Sequence, residues 1–389
     1  MRKVSDVHWC VILLILLNVI SPGFSSGQKR AKADVVDVSS FKKQIGFFSF
    51  DWDPGQGRLW LRFKEFQKPF LYVTSLASGL GSNPVGLDRG QLGATRVVQF
   101  RRVGARVFLE QLNLKYRASS QNRMEKIAVQ DSFASSILWA ADLQQSSDGS
   151  PMVDLTSLVV RDAHDCVGKL SANGQGNYSF SKERSFVHLP RTKAFPKNCE
   201  FEAAITLSSS KPGALAERTA ATGKAITLRQ HHSFIELPDA GFKPRPFDPR
   251  SGCFSVGFAD YSVPIGVNIE KKFVTRHRLI KKDPEAEKSQ PVKPIVYYVD
   301  PGVPSPVREA LLDGARWWNE AFEAAGFVDA FEVKILPGGV DPMDIRYNVI
   351  QWVHRATRGW SYGQSVVDPR TGEIIKGHVL LGSLRVRQD

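Results

Sequence analysis

The chain has 389 residues, of which 42% are hydrophobic and 23% charged, so it carries enough apolar material for a packed core, and wholesale disorder is excluded. Its 22 Pro and 31 Gly interrupt the chain too often for a coiled coil, and four Cys are too few for a disulfide scaffold. The net charge of +13 suits a polyanionic partner, but the basic residues are scattered in pairs such as Arg101-Arg102, Lys271-Lys272 and Lys281-Lys282. No basic run reaches the length of a nucleic-acid-binding tail, so nucleic acid is not an expected partner.

Arg2 and Lys3 precede an apolar run from Trp9 to Ile20, broken only by Asn18 and followed by Ser21-Pro22-Gly23 and Ser25-Ser26-Gly27. Charged, apolar and small-residue segments in that order predict a signal peptide over 1–27 and an exported, periplasmic or extracellular protein. The run falls short of the ~20 apolar residues of a membrane span. Export leaves Cys166, Cys199 and Cys253 in the mature chain, an odd number. A Cys166–Cys199 disulfide with one free thiol is the preferred pairing, and three buried thiols are the alternative.

Residues 41–237 predict a β-rich N-terminal domain. Leu59, Leu61 and Phe63 alternate with Trp60 and Arg62, and short apolar runs follow at 70–76, 97–100, 107–109, 201–207 and 225–228. The Gly-rich stretch 78–93 reads as a long loop, as does 208–224. Three turns share the form D-P-x-x-G, at Asp53–Gly57, Asp248–Gly252 and Asp368–Gly372. Pro presets φ, Asp bonds the backbone beyond it and Gly admits positive φ, so each is expected to close a hairpin.

Residues 238–293 are rich in Pro, Lys and Arg and predict a basic strap. From 294 the pattern changes. Ile295 to Val299 reads as a strand, and Ser305 with Pro306 reads as a helix start. Val307, Leu311, Ala315, Trp318, Phe322 and Ala325 then share one helical face, with Gly326 ending the helix. Phe331, Val333 and Ile335 complete a βαβ unit with parallel strands. A strand over 345–353 and a hairpin over 364–381 follow, giving an α+β chain.

The residues alone name no catalytic centre. H-E-x-x-H, G-x-S-x-G, a P-loop and a dinucleotide fingerprint are all missing. Adjacent His231 and His232 point to opposite faces of a strand and cannot share a metal. His354 and His378, with Asp368, would make only a weak site of no recognised zinc geometry. His277, between Arg276 and Arg278, reads as a surface residue. His164-Asp165-Cys166 are neighbours that do not converge on a strand, so no thiol nucleophile is indicated.

The span from Phe247 to Asp389 carries a series of longer phrases. Among them are Phe258-Ala259-Asp260-Tyr261, Thr275-Arg276-His277-Arg278-Leu279, Ala315-Arg316-Trp317-Trp318-Asn319 and Arg346 through His354. In order, these resemble the large exported bacterial zinc-dependent metalloproteases with a metzincin-like catalytic domain. The phrases Val160-Arg161-Asp162-Ala163-His164 and Leu189 through Asn198 resemble the N-terminal domain of unknown function in those proteins.

The resemblance implies hydrolysis of peptide or protein substrates by a zinc-bound water in the complete protein. Residues 294–389 would be the N-terminal half of the peptidase domain. The family's H-E-x-x-H ligands lie downstream of the segment matched here, so the resemblance assigns no catalytic and no metal residue to this chain and predicts that it is inactive alone. It also implies that Gly377, His378, Val379 and Leu380 form a sheet edge that pairs with substrate, an internal strand without a ligand being the alternative. Without a further covering helix, the sheet surface carrying Ile350 and Trp352 would be exposed. The competing reading is an exported, non-catalytic binding module for an acidic envelope polymer or protein.

Overall fold

The computed structural model describes residues 35–357 and 359–388. The expected signal peptide at 1–27 lies outside the described residues. Four sheets of three or more strands are formed among them.

The β-rich part is built on two of these sheets. A six-stranded sheet contains Phe50–Asp53 and Arg58–Arg62, and an eight-stranded sheet runs in the order Ser179–Val187, Asn198–Ser208, Ala225–Ile235, Phe70–Ser78, Leu92–Val103, Arg106–Gln111 and Ser136–Asp142, with Lys193–Ala194 paired beside Asn198–Ser208. Alternation along each strand sorts the side chains. Phe70, Tyr72, Phe201 and Phe234 pack with Phe50, Leu59 and Leu61 of the other sheet in the largest core. Leu71, Val73, Val97 and Ile235, on the reverse face, pack with Ile345 and Val366 from the C-terminal part. The segments that the sequence separates as domains therefore share a core.

The C-terminal sheet runs Phe331–Ile335, Ile295–Val299, Asn348–Val353, Ile374–Gly382, Tyr362–Val367. Its strands are parallel except for the last pairing, which is antiparallel. The expected parallel βαβ unit is present. Its helix is interrupted, however, forming Val307–Arg316 and Trp318–Ala324. The first begins after Pro306 without a side-chain cap from Ser305, and Gly326 ends the second with φ of 84°. Trp318, which the periodicity places on the apolar helical face, is 61% exposed.

Ile350 and Trp352, expected to lie on an uncovered face, are buried. They pack with Val299, Val303, Leu311 and Leu381 on the helix side of the sheet. The opposite face, with Val349, Gln351, Lys376 and His378, is turned toward the eight-stranded sheet.

All three D-P-x-x-G turns use the expected chemistry. Asp53, Asp248 and Asp368 each accept a backbone N–H through Oδ1, and Gly57, Gly252 and Gly372 have φ of 66°, 64° and 83°. Two close hairpins. The turn at Asp248–Gly252 does not, because Pro246 and Val256 both pair with Phe273 and not with each other.

The basic strap is likewise more ordered than its composition suggests. Ser255–Asp260 and Glu270–Val274 pair antiparallel in a three-stranded sheet with Tyr116–Arg117. Helices also arise where the sequence pattern predicts none, Arg123–Ser132 and Ala214–Thr219 among them. Arg123–Ser132 is capped by Asn122, whose Oδ1 accepts from Met124 N at 3.0 Å, and Ala214–Thr219 lies in the expected loop with Ala216 buried.

Candidate functional site

The strand Ile374–Gly382 is internal. Ile350 and Gly363 both pair with Val379, so its backbone groups serve neighbours on both sides. Gly377, His378, Val379 and Leu380 therefore cannot be the edge that the resemblance implies. That position belongs to Tyr362–Val367, the partner arm of the same hairpin, which pairs on one side only among the described residues.

The four residues do specific packing work. A Cβ on Gly377 would stand 1.9 Å from the Tyr297 hydroxyl, so only glycine fits there. Val379 and Leu381 face the helices. His378 faces the other way, with Nε2 at 3.0 Å from Gln351 Oε1, and burial pushes its imidazole down to about 3, so it is neutral at ordinary pH.

An apolar cavity of about 450 Å³ opens on the helix side of this sheet, lined among others by Leu311, Trp318, Phe322, Ile350, Val379 and Leu381. His277 borders it rather than lying on the surface. Its Nε2 is 3.2 Å from the Tyr297 hydroxyl, and burial pushes its pKa down to about 4.

A second, polar cavity of about 510 Å³ lies between the eight-stranded sheet and the reverse face of the C-terminal sheet. Glu200 and Glu202, two apart on one strand, project into it beside His231. His231 Nε2 is 2.6 Å from Glu202 Oε2, and Arg229 Nη1 is 3.2 Å from Glu202 Oε1. Burial opposes ionisation of Glu202, but His231 and Arg229 outweigh it and hold the carboxyl below its usual range. Glu200 accepts from Asn198 Nδ2 at 2.8 Å and Ser233 Oγ at 2.6 Å, yet burial raises its pKa. Two carboxyls on one strand face are thus pushed in opposite directions.

Lys376 enters the same cavity from the other sheet. Its Nζ donates to Pro342 O at 2.5 Å and Asp344 O at 3.2 Å. Burial lowers its pKa to about 8, against the pull of Glu200.

The opposite-face reading of the adjacent histidines holds. His231 lines the polar cavity, whereas His232 is buried behind it, 2.7 Å from the Tyr72 hydroxyl. His354 and His378 both border the cavity, but Asp368 is bound in its turn by Arg370 and does not join them. Among the described residues no group of three His, Cys, Asp or Glu converges as a metal site. The expected disulfide is also not formed, since Cys166, Cys199 and Cys253 are all free. The Cys199 Sγ donates instead to Phe48 O at 3.1 Å, and Cys166 sits at the start of a helix whose first N–H groups are taken by Asp162.

Glu200, Glu202 and Lys376 carry no motif, and sequence reasoning missed them. The available signal was Glu200-Phe201-Glu202 inside an otherwise apolar strand, a spacing that puts both carboxylates on one face.

Residues 90–282 match the family model described as a domain of unknown function, DUF5117. Both phrases likened above to such a domain, at 160–164 and 189–198, lie inside that span. No curated protein and no solved structure matches the chain. Among the described residues, no helix is long and apolar enough to cross a membrane.

Proposed function

We propose that this chain is the N-terminal portion of an exported zinc-dependent peptidase, and that residues 294–388 supply the part of its catalytic domain that holds the substrate. The observation that carries this reading is the one-sided strand Tyr362–Val367 at the margin of a mostly parallel sheet. An extended peptide can add to such an edge through backbone hydrogen bonds, with alternate side chains setting preference. The apolar cavity beside Ile350, Val379 and Leu381 supports it as a surface shaped for a further packed element. Among the described residues none fit a zinc site, so water activation is assigned to none of them.

The test compares the 389-residue chain with a version extended by the coding sequence that follows residue 389. After dialysis the 389-residue chain should retain no stoichiometric zinc and should not cleave casein. The extended protein should hold one zinc and cleave it, and Ser365→Pro on the edge strand should raise KM. One tightly held zinc in the shorter chain would overturn the reading, as would an extended reading frame without H-E-x-x-H.

A further inference from the structure

The hairpin of Ser255–Asp260 and Glu270–Val274 projects a tip, 261–269, whose sequence is Tyr-Ser-Val-Pro-Ile-Gly-Val-Asn-Ile. Ile265 is 107% exposed, Val267 49%, Tyr261 43% and Ile269 37%, so the tip offers a run of apolar side chains to solvent. Isolated exposed aliphatics are ordinary, but four within nine positions on one projection are not.

The base that carries this tip is fixed. Buried Asp260 accepts from Ser119 N at 3.1 Å, Ser262 N at 3.1 Å and Ser262 Oγ at 2.6 Å. The Tyr261 ring meets Phe133 at 5.4 Å, and Phe133 stacks on Tyr116 at 3.7 Å. Arg117 lies 3.9 Å over the Phe258 ring and donates to Pro369 O and Arg370 O, tying the hairpin base to the C-terminal sheet. Within the tip, Val267 N donates to Pro264 O and Gly266 takes φ of 89°. The apolar residues are therefore held outward by a rigid support.

Behind the tip stand Lys271 and Lys272, with Lys115 on the adjoining segment, whose carbonyl accepts from Ala259 N. Glu270 is the exposed acid of the hairpin, the other acid, Asp260, being buried. At ~3.4 Å per strand residue, Lys271 lies roughly 7 Å behind Ile269. That offset matches an apolar anchor sunk ~5–10 Å to the headgroup–acyl boundary while ammonium groups meet the lipid phosphates.

We propose that the 261–269 tip is an interfacial anchor that docks the protein on an anionic lipid surface. A convex projection offers no groove to a peptide and suits a deformable partner. The basic collar, on a chain of net charge +13, supplies the complementary charge. The proposal is independent of the peptidase reading.

The full chain is sedimented with vesicles of phosphatidylethanolamine and phosphatidylglycerol (3:1), and with phosphatidylcholine vesicles as the neutral control. Binding to the anionic vesicles is expected to fall at least tenfold in Ile265→Asp, and to weaken and lose salt dependence in Lys271→Gln/Lys272→Gln. Since the Ile265 side chain is fully exposed, the Asp variant should keep the wild-type circular dichroism. In Ile265→Trp, fluorescence difference spectra against the wild type should shift to the blue on adding anionic vesicles. Unchanged binding by Ile265→Asp, which a purely electrostatic contact with an acidic polymer would give, overturns the proposal. So does an Ile265→Trp emission that anionic vesicles leave unmoved.

Discussion

Lys376 carries a pH-dependent penalty whose sign and window follow from its surroundings. Its ammonium is buried between two sheets, and its pKa falls from 10.5 to about 8. Below pH 8 the group is protonated in both folded and unfolded chains, and the cost of burying the charge is fully present. Between pH 8 and 10.5 the folded protein has released the proton while the unfolded chain still binds it, so stability rises with pH. The drop corresponds to about 3 kcal/mol.

Lys376→Met removes this titration. It also strips a donor from Pro342 O and Asp344 O, a cost that does not vary with pH. The stability of the wild type relative to Lys376→Met should therefore increase by about 3 kcal/mol between pH 7 and 10.5. Urea unfolding followed by tryptophan fluorescence at the two pH values measures it. On a Glu200→Gln background the Lys376 pKa should fall further, because Glu200 is the largest of the carboxylates that raise it. A difference constant to within about 1 kcal/mol would refute the reasoning, since a 1.4 kcal/mol change is one pKa unit.

Asp88→Asn should destabilise the protein by roughly 3–5 kcal/mol, because it leaves a buried guanidinium uncompensated. Arg355 donates to Asp88 Oδ2 through Nε at 2.9 Å and Nη2 at 2.7 Å, and both side chains are buried. A thermal-unfolding shift equivalent to less than about 1 kcal/mol would contradict this. Among the three described cysteines, an aromatic disulfide reagent should modify only exposed Cys253 in the folded protein. Burial pushes Cys199 up to about 12 and Cys166 well above the normal thiol value, so both should react only after unfolding. Rapid labelling of two thiols in the folded state would refute it.

Elements that announce themselves locally were legible. The parallel βαβ unit, the two hairpin turns at Asp53 and Asp368 and the opposed faces of His231 and His232 follow from periodicity, turn chemistry and strand alternation. Lateral strand order is a non-local property, and it misled. Nothing in the sequence of Ile374–Gly382 says that Asn348–Val353 pairs along its other side, so the resemblance points to the wrong arm of the hairpin as the edge. Periodicity gives one continuous helix, whereas the chain breaks it at Trp317 and leaves Trp318 exposed. The polar cavity was invisible because its parts come from two sheets, with Glu200 and Lys376 separated in sequence and joined only by the fold. The resemblance to a domain of unknown function was legible from phrases alone, and it is met by the match over 90–282.

The placement of Phe70–Ser78 bears on how this protein can be dissected. That strand sits between Ala225–Ile235 and Leu92–Val103 in the middle of the eight-stranded sheet, yet it precedes the matched span. A fragment cut at 90 and 282 would lose the central plank of its sheet and bare two unsatisfied rows of backbone donors and acceptors. The segment that sequence comparison delimits is thus not a unit that folding respects. An expression boundary should be drawn upstream of Phe50, where the six-stranded sheet contributes Phe50, Leu59 and Leu61 to the shared core.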